Sequence, residues 1–286
     1  MKPSARRSLV IGAAVLVALI AAWAFVQMRS QTIIQARHAL PPSAVKADMT
    51  PDGIALGRHL VEVSACSFCH GRTLSGRMLA AAGSPLAAPN LTRAAARRSD
   101  AELDHAIRAG LRPDGTTEFA MPSQAFAAFT DRETSAIVGY LRTLKPQGAP
   151  TPKFDPSPMQ RLDIAVGFMH PAIDRITAAR RPLDLGPRTA TGRHLTAVAC
   201  GQCHGTDLSS GHGAPGPDLM VRGGYKRAQF HALMRKGETA EGRDLEPMSQ
   251  VAQSNFSQFT DAEIDAIYDY LDARDGALAK APPPKS

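Results

Sequence analysis

The sequence predicts an all-α protein in which one apolar N-terminal helix precedes two copies of a single helical module. Three observations carry this reading. An 18-residue apolar run lies near the start, a set of short motifs occurs twice in the same order, and apolar residues fall at helical spacing. No stretch alternates convincingly with period two, so no sheet is expected.

The N-terminal element comes first. Leu9 to Val26 is unbroken apolar sequence, preceded by Lys2, Arg6 and Arg7. As a helix it would span about 27 Å, close to the hydrocarbon thickness of a bilayer. Two readings compete. Ala22-Trp23-Ala24 offers a small-residue cleavage site, which would give a soluble exported protein. Against this, apolar residues continue through Phe25, Val26 and Met28, and the run exceeds the usual h-region of about 7–15 residues. That favours an uncleaved anchor over residues 1–30. Either way, the positive-inside rule leaves the N-terminus in the cytoplasm and everything after the run outside. The expected location is the inner membrane, single-pass, with the modules on the periplasmic side.

The chain has 286 residues, enough for two domains of roughly 100–130 residues plus an extension. The formal net charge is +7, yet residues 1–46 hold six basic side chains and no acid, leaving 27 basic against 26 acidic residues in the rest. The bulk is therefore nearly neutral, with no basic stripe interleaved with aromatics, and nucleic-acid binding is not expected. Aromatic content is only 5%. A domain so poor in large side chains must fill its centre some other way, and a buried cofactor would do it.

After a linker at 31–49, the first module is expected over 50–145. Thr50 can cap a helix and Pro51 can occupy its first position, where the missing N–H costs nothing. Gly57-Arg58-His59-Leu60 then recurs as Gly192-Arg193-His194-Leu195, and both glycines would let another helix approach closely. Pro89-Asn90-Leu91 is matched by Pro217-Asp218-Leu219, and Leu74-Ser75 by Leu208-Ser209. Arg108-Ala109-Gly110 is matched by Arg235-Lys236-Gly237. A further helix is expected near Ala101–Ala109, paired with Ala228–Lys236. Each module closes on Phe-Thr-Asp-x-Glu, at Phe129 and Phe259, the capping-box pattern at a helix start. Ile137, Tyr140, Leu141 and Leu144 then mark one helical face. Between modules, residues 146–190 form a Pro-rich linker interrupted by a short docking helix at Leu162–Met169. The second module is expected over 191–276, and 277–286 reads as a disordered tail.

All four cysteines lie in Cys66-Ser67-Phe68-Cys69-His70 and Cys200-Gly201-Gln202-Cys203-His204. On a helical turn, residues i and i+3 share a face and i+4 stands beside them. Two sulfurs can then form thioethers to one haem, while the histidine points at the iron; this pattern reads as a covalent c-type haem site. A four-Cys zinc site would not explain the histidine after both pairs. A thioredoxin-like pair needs an α/β context that is absent. The expected cofactors are two covalently bound haem c groups, held by Cys66, Cys69 and His70 and by Cys200, Cys203 and His204.

Methionine commonly stands opposite histidine in electron-transfer haem centres. Met121, in Ala120-Met121-Pro122, is the candidate for the first iron, and Met248, in Pro247-Met248, for the second. Met234 and Met220 are rivals to Met248, and either Met121 or Met248 could instead be core filler. His105, His212 and His231 are possible ligands read rather as surface or cap residues. Pro89 and Pro217 are candidates to supply the backbone carbonyl that orients each ligating histidine.

These residues resemble class I cytochromes c, duplicated. Gly-x-x-Leu, Cys-x-x-Cys-His-Gly, Gly216-Pro217-x-Leu219, the methionine and the final Thr-Asp-x-Glu helix occur in that family's order across residues 50–274. The resemblance implies three main helices wrapped around each haem, the first and last crossing. Ala88-Pro89-Asn90-Leu91-Thr92, Met-Pro and Tyr-Leu-Arg-Thr-Leu further resemble the cytochrome c subunits of membrane-bound alcohol and gluconate dehydrogenases. Those subunits carry three modules where this chain has two. The second module also lacks the Met-Pro order and a counterpart of Thr92.

The function expected from this is electron carriage, with no catalytic residues, between redox partner proteins: a dehydrogenase subunit, an oxidase or a soluble cytochrome. The alternative is a haem enzyme, such as a di-haem peroxidase or sulfur-compound dehydrogenase. It would need an open iron position, whereas both modules offer a methionine.

Overall fold

The computed structural model of the chain describes residues 3–81, 84–210, 216–221 and 224–280, and these are mostly helical. Helix α1 (Pro3–Gln35) carries the apolar run and continues five residues past the expected end at 30. Its side chains from Leu9 to Phe25 pack against nothing in the protein.

In the first module, α2 (Pro51–Val63) starts as its sequence dictates. Thr50 Oγ1 accepts the Gly53 N–H at 3.1 Å, and Pro51 sits in the first turn. Helix α2 lies across the last helix of the module, α7 (Asp131–Thr143). Gly57 makes the crossing possible, because a Cβ there would collide with the Ala136 carbonyl. Between them run α3 (Cys66–His70), a hairpin of β1 (Arg77–Ala81) and β2 (Ser84–Ala88), then α4 (Leu91–Arg97), α5 (Asp100–Asp104) and α6 (Ser123–Phe126). Helix α5 widens into a π-type turn over His105–Ala109 and stops at Gly110, whose φ of 62° is the left-handed cap.

The hairpin, paired antiparallel from Arg77–Ala88 to Ala81–Ser84, corrects the expectation of no strands. Met78-Leu79-Ala80-Ala81 and Pro85-Leu86-Ala87-Ala88 are apolar or small throughout, so no two-residue alternation betrays them.

The linker holds two short helices in place of the single one expected at 162–169. Helix α8 (Pro158–Val166) ends at Gly167 in a left-handed cap, and α9 (Ala172–Ala178) begins after Pro171. The second module follows: α10 (Ala190–Leu195), a π-type turn over Thr196–Cys200, α11 (Gly201–His204), α12 (Arg227–Lys236), α13 (Met248–Ser254) and α14 (Asp261–Leu278). Helix α14 runs into the segment read as tail, and 281–286 lie outside the described residues. Gly192 meets the Ala266 carbonyl as Gly57 meets that of Ala136. Both closing helices carry complete capping boxes, Thr130 with Glu133 and Thr260 with Glu263. The duplication extends to side chains. Arg108 pairs with Asp131 at 2.8 Å and Arg235 with Asp261 at 2.7 Å. Phe126–Phe129 and Phe256–Phe259 have ring centroids 5.6 and 5.7 Å apart.

Several contacts between the modules come in exchanged pairs, the signature of a pseudo-two-fold arrangement. Beside them are unpaired ones, in which Asn255 Nδ2 donates to the Glu62 carbonyl at 2.9 Å and Gln202 Nε2 to the Ser64 carbonyl at 3.0 Å. Val63 and Val198 each stand six positions after the shared glycine. Both are fully buried, and each belongs to the core of the other module. His59 bonds to Glu263 at 2.8 Å, and His194 to Glu133 at 2.7 Å. The duplicated α2 and α10 ends, which lead into the two Cys-x-x-Cys-His turns, are therefore side by side.

Candidate haem-attachment sites

Each Cys-x-x-Cys-His occupies one helical turn, but the chain reaches it differently in the two modules. From Gly57 to Cys66 is nine positions, and from Gly192 to Cys200 eight. The extra residue lets Ala65 adopt a left-handed φ of 54° and restart the helix at Cys66. With one residue fewer, the second module passes through the π-type turn at Thr196–Cys200 instead. Both routes leave the motif identically, at Gly71 (φ 81°, ψ 156°) and Gly205 (φ 81°, ψ 152°), a conformation open essentially to glycine alone.

Each histidine leads into the same hydrogen-bonded loop. Gly76 and Ser210 donate to the carbonyls of His70 and His204 at 2.9 and 3.0 Å. Leu91 and Leu219 donate to those of Leu74 and Leu208 at 2.8 and 3.0 Å. Leu74 and Leu208 both take left-handed φ values, 56° and 64°. These loops bring Pro89 and Pro217 over the histidines. His70 Nδ1 donates to the Pro89 carbonyl at 2.8 Å, and His204 Nδ1 to the Pro217 carbonyl at 2.7 Å. The sequence offered both prolines for this place. The bond fixes the tautomer with its proton on Nδ1 and leaves Nε2 a bare lone pair, with no hydrogen-bond partner among the described residues. Burial also lowers the His70 pKa, opposed by the Pro89 carbonyl, so the ring favours the neutral form that a metal ligand needs.

The modules hold these prolines by different means, neither legible beforehand. In the first, the Asn90 amide donates to the Gln147 and Ala149 carbonyls at 2.7 and 2.9 Å, and the Asn90 N–H donates to Thr151 at 2.8 Å. In the second, buried Arg274 donates to the Leu219 and Leu208 carbonyls at 2.9 and 3.0 Å and pairs with Asp275 at 3.2 Å. Gly216 packs on the His204 ring, where a Cβ would crowd Nδ1.

All four cysteines are unpaired. The Cys66 and Cys200 thiols are pushed up to about 12, first by burial and then by the neighbouring Cys69 and Cys203. That is the reverse of a thiolate primed for disulfide exchange. Burial also raises the Cys69 thiol, with Cys203 of the second module the next contributor, so the two motifs lie within electrostatic reach of each other.

Met121 packs against the core that holds Cys66, and Met248 against the core that holds Cys200. Of the rivals, Met220 is 56% exposed and Met234 is 1% exposed within the second core. The reversed Met–Pro order has a structural meaning. Ser123 Oγ donates to the Ala106 carbonyl at 3.2 Å beneath Gly110, and Ser249 Oγ to the Gly237 carbonyl at 2.8 Å. Aligned on these serines, Met121 stands where the second module has Pro247, and Met248 stands where the first has Pro122.

His105, read as a surface or cap residue, is buried. Its Nε2 donates to the Pro41 carbonyl at 2.8 Å and ties residues before the first module onto it. His231 donates to Asp265 at 3.0 Å. His212 lies outside the described residues.

Two sulfurs on one turn, a tautomer-fixed imidazole with a bare Nε2, and the same exit geometry twice over fit a covalently attached haem. These features define a c-type cytochrome module, present in tandem. Residues 52–141 match the family model described as "Cytochrome C oxidase, cbb3-type, subunit III", and residues 189–274 match "Cytochrome c". The chain is thus built of two tandem cytochrome c modules, the modules of electron-transfer proteins that carry covalent haem c. It is 25% identical over 271 aligned residues to proteins named "Alcohol dehydrogenase (quinone), cytochrome c subunit" from Gluconacetobacter polyoxogenes and Komagataeibacter europaeus. The alignments cover 78% of this chain and 57% of each relative, so the chain spans just over half the length of the curated relatives it matches.

Proposed function

We propose that the protein is a membrane-anchored periplasmic di-haem cytochrome c that passes electrons from a dehydrogenase or other donor to a respiratory-chain acceptor. Each unit, 50–145 and 191–276, would hold one haem: Cys66 and Cys69 with His70, and Cys200 and Cys203 with His204. Met121 and Met248 would take the sixth positions. The haem supplies one-electron cycling between ferrous and ferric iron. The protein's own contribution would be to fix each imidazole through Pro89 or Pro217 and to offer each iron the sulfur of Met121 or Met248.

The observation that carries this reading is the repetition of the histidine–proline carbonyl bond above two Cys-x-x-Cys turns. The pseudo-two-fold packing supports transfer between the two centres, because it sets the two motifs side by side. The relatives' name supports a quinone-type alcohol dehydrogenase as donor. The apolar α1 supports restriction to the membrane plane, which raises the effective concentration of a partner held there.

Purification from membranes in mild detergent tests the proposal. The mature protein is expected to exceed its polypeptide mass by two haem groups and to bring a dehydrogenase with it. A mass increment of one haem or none overturns the two-centre reading. A high-spin signal in the oxidised spectrum, with fast peroxide turnover, overturns the carrier reading.

A further inference from the structure

Helix α8 is seated on the end of α1 where the apolar run stops. Arg29 Nε donates to the Ala165 carbonyl at 2.7 Å, and Arg161 Nη1 donates to Gln31 Oε1 at 3.1 Å. Gln160, Ile164 and Ala165 on α8 are buried, as is Ser30 on α1. The opposite side of α8 is apolar and uncovered. Met159, Leu162 and Val166, at i, i+3 and i+7, are exposed, and Phe168 just past the cap at Gly167 is 84% exposed. Four large apolar side chains held together on one short segment of a water-facing surface call for a covering partner.

The position of α8 says what covers them. Arg29 follows Val26 by three residues, about 4.5 Å along the helix axis. With the apolar run of α1 in a bilayer, the Ala165 carbonyl held by Arg29 would be at the height where hydrocarbon gives way to headgroups, and Val166 and Phe168 come within three residues of it in the chain. The basic side chain would then lie at the level where such residues meet the interface, with the apolar ones beside it.

We propose that the face formed by Met159, Leu162, Val166 and Phe168 lies in the interfacial layer of the bilayer, giving the protein a second membrane contact beside α1. The proposal rests on the reading of α1 as an anchor. Its consequence is orientation. After α8 the chain runs through α9, where the Ala172 N–H donates to the Glu118 carbonyl at 2.7 Å and Arg175 Nη2 to the Met121 carbonyl at 2.7 Å. A lipid-bound α8 would thus fix the Met121 side of the first module at a set height and tilt above the membrane, where a single helix alone would leave it free to swing.

Spin labelling of the full haem-loaded chain in phosphatidylethanolamine/phosphatidylglycerol vesicles tests this. Labels are placed one at a time through Phe168→Cys, Trp23→Cys in the apolar run and Glu241→Cys at an exposed site of the second module. The parent chain, its thiols consumed, is the unlabelled control. Collision with oxygen, which concentrates in lipid, is compared with collision with a water-soluble nickel chelate. The expected result is an oxygen-to-nickel ratio several-fold higher at 168 than at 241, and higher still at 23. A ratio at 168 equal to that at 241, with 23 in lipid, overturns the α8 contact and leaves the anchor standing. A label at 168 shielded from both reagents means that protein covers the face, and also overturns it. A label at 23 that reports water removes the anchor, and the α8 contact with it.

Discussion

His59 of the first module donates to Glu263 of the second at 2.8 Å, while the other oxygen of the same carboxylate closes the capping box of α14. Glu133 does the same double duty for His194 and α7. One acidic side chain therefore both starts a helix and joins two modules. The interface is tied to the secondary structure of each.

The first prediction concerns pH. The hydrogen bond to Glu263 raises the His59 pKa against the opposing effect of burial. Burial pulls the Glu263 carboxyl up, but the bonds from His59 and the Thr260 N–H outweigh it and hold it below the usual range. The His59 contribution is complete below its unfolded value near 6.5 and is lost as pH rises through its higher folded value. The Glu263 contribution is complete above about 4.3 and is lost as pH falls through its lower folded value. Glu263→Gln keeps a capping side chain but loses the charge. Its deficit in stability, about 1 kcal/mol for a half-solvated pair, should peak near pH 5–6 and shrink by pH 9. Thermal melts of both proteins across this range measure it; a deficit that grows with pH contradicts the pairing.

Helix crossing sets the second. Gly57→Ala and Gly192→Ala would each gain about 1 kcal/mol of helix propensity. Each also drives a Cβ into the carbonyl of Ala136 or Ala266, and backbone cannot give way as a side chain can. Overpacking of this kind costs about 1–3 kcal/mol or more, so both variants should lower Tm. A raised Tm would mean that the helices are not in contact there.

The exchanged valines yield the third. Val63→Ala should cost about 1–3 kcal/mol, and the loss should fall on the module that does not contain the mutation. Hydrogen exchange should quicken in α14 and around Phe256–Phe259 more than in α7, with Val198→Ala showing the converse. Loss confined to the mutated module would refute the exchange.

Replacement of the two methionines proposed as ligands supplies the fourth. Met121→His should lower the potential of one centre only, by on the order of 0.1 V within the roughly 0.8 V that axial ligands span. Met248→His should do the same to the other centre. Met234→Leu should change stability and leave both potentials in place. A potentiometric titration resolving two steps separates these outcomes, and a shift on replacing Met234 would transfer the ligand role to it.

A fifth prediction isolates the loop support of the second module. Arg274→Met takes the neighbouring cation from buried Asp275 and the donor from two carbonyls, at a cost of about 3–5 kcal/mol. Urea unfolding should show a lowered midpoint, and hydrogen exchange should quicken first at Leu208, Leu219 and along α14.

Much of this architecture could be read from local chemistry. Thr-x-x-Glu before an apolar run specified both closing helices, and the repeated glycines specified the crossings, because caps and close contacts restrict residue type. The Cys-x-x-Cys-His turns and the carbonyls of Pro89 and Pro217 were legible for the same reason. The exchange of Val63 and Val198 was not legible. An apolar residue at helical spacing says that it leaves water, not whose core it enters. The hairpin escaped because its strands lack a polar face, and Arg274 because a cation near the end of a helix ordinarily faces solvent. The one-residue difference before Cys66 and Cys200 was plain in the sequence, but only the backbone showed it exchanged a left-handed break for a widened turn.

The exchanged valines and crossed histidine–glutamate pairs have a further consequence. At these positions both halves present the same residues to each other, so this part of the face is self-complementary, and a single module cut free would display a valine, a histidine and a glutamate suited to an identical neighbour. Such a fragment should gather into twofold dimers at high concentration. The covalent chain between the halves then adds to its docking contacts a second service, keeping the two copies together when the protein is dilute.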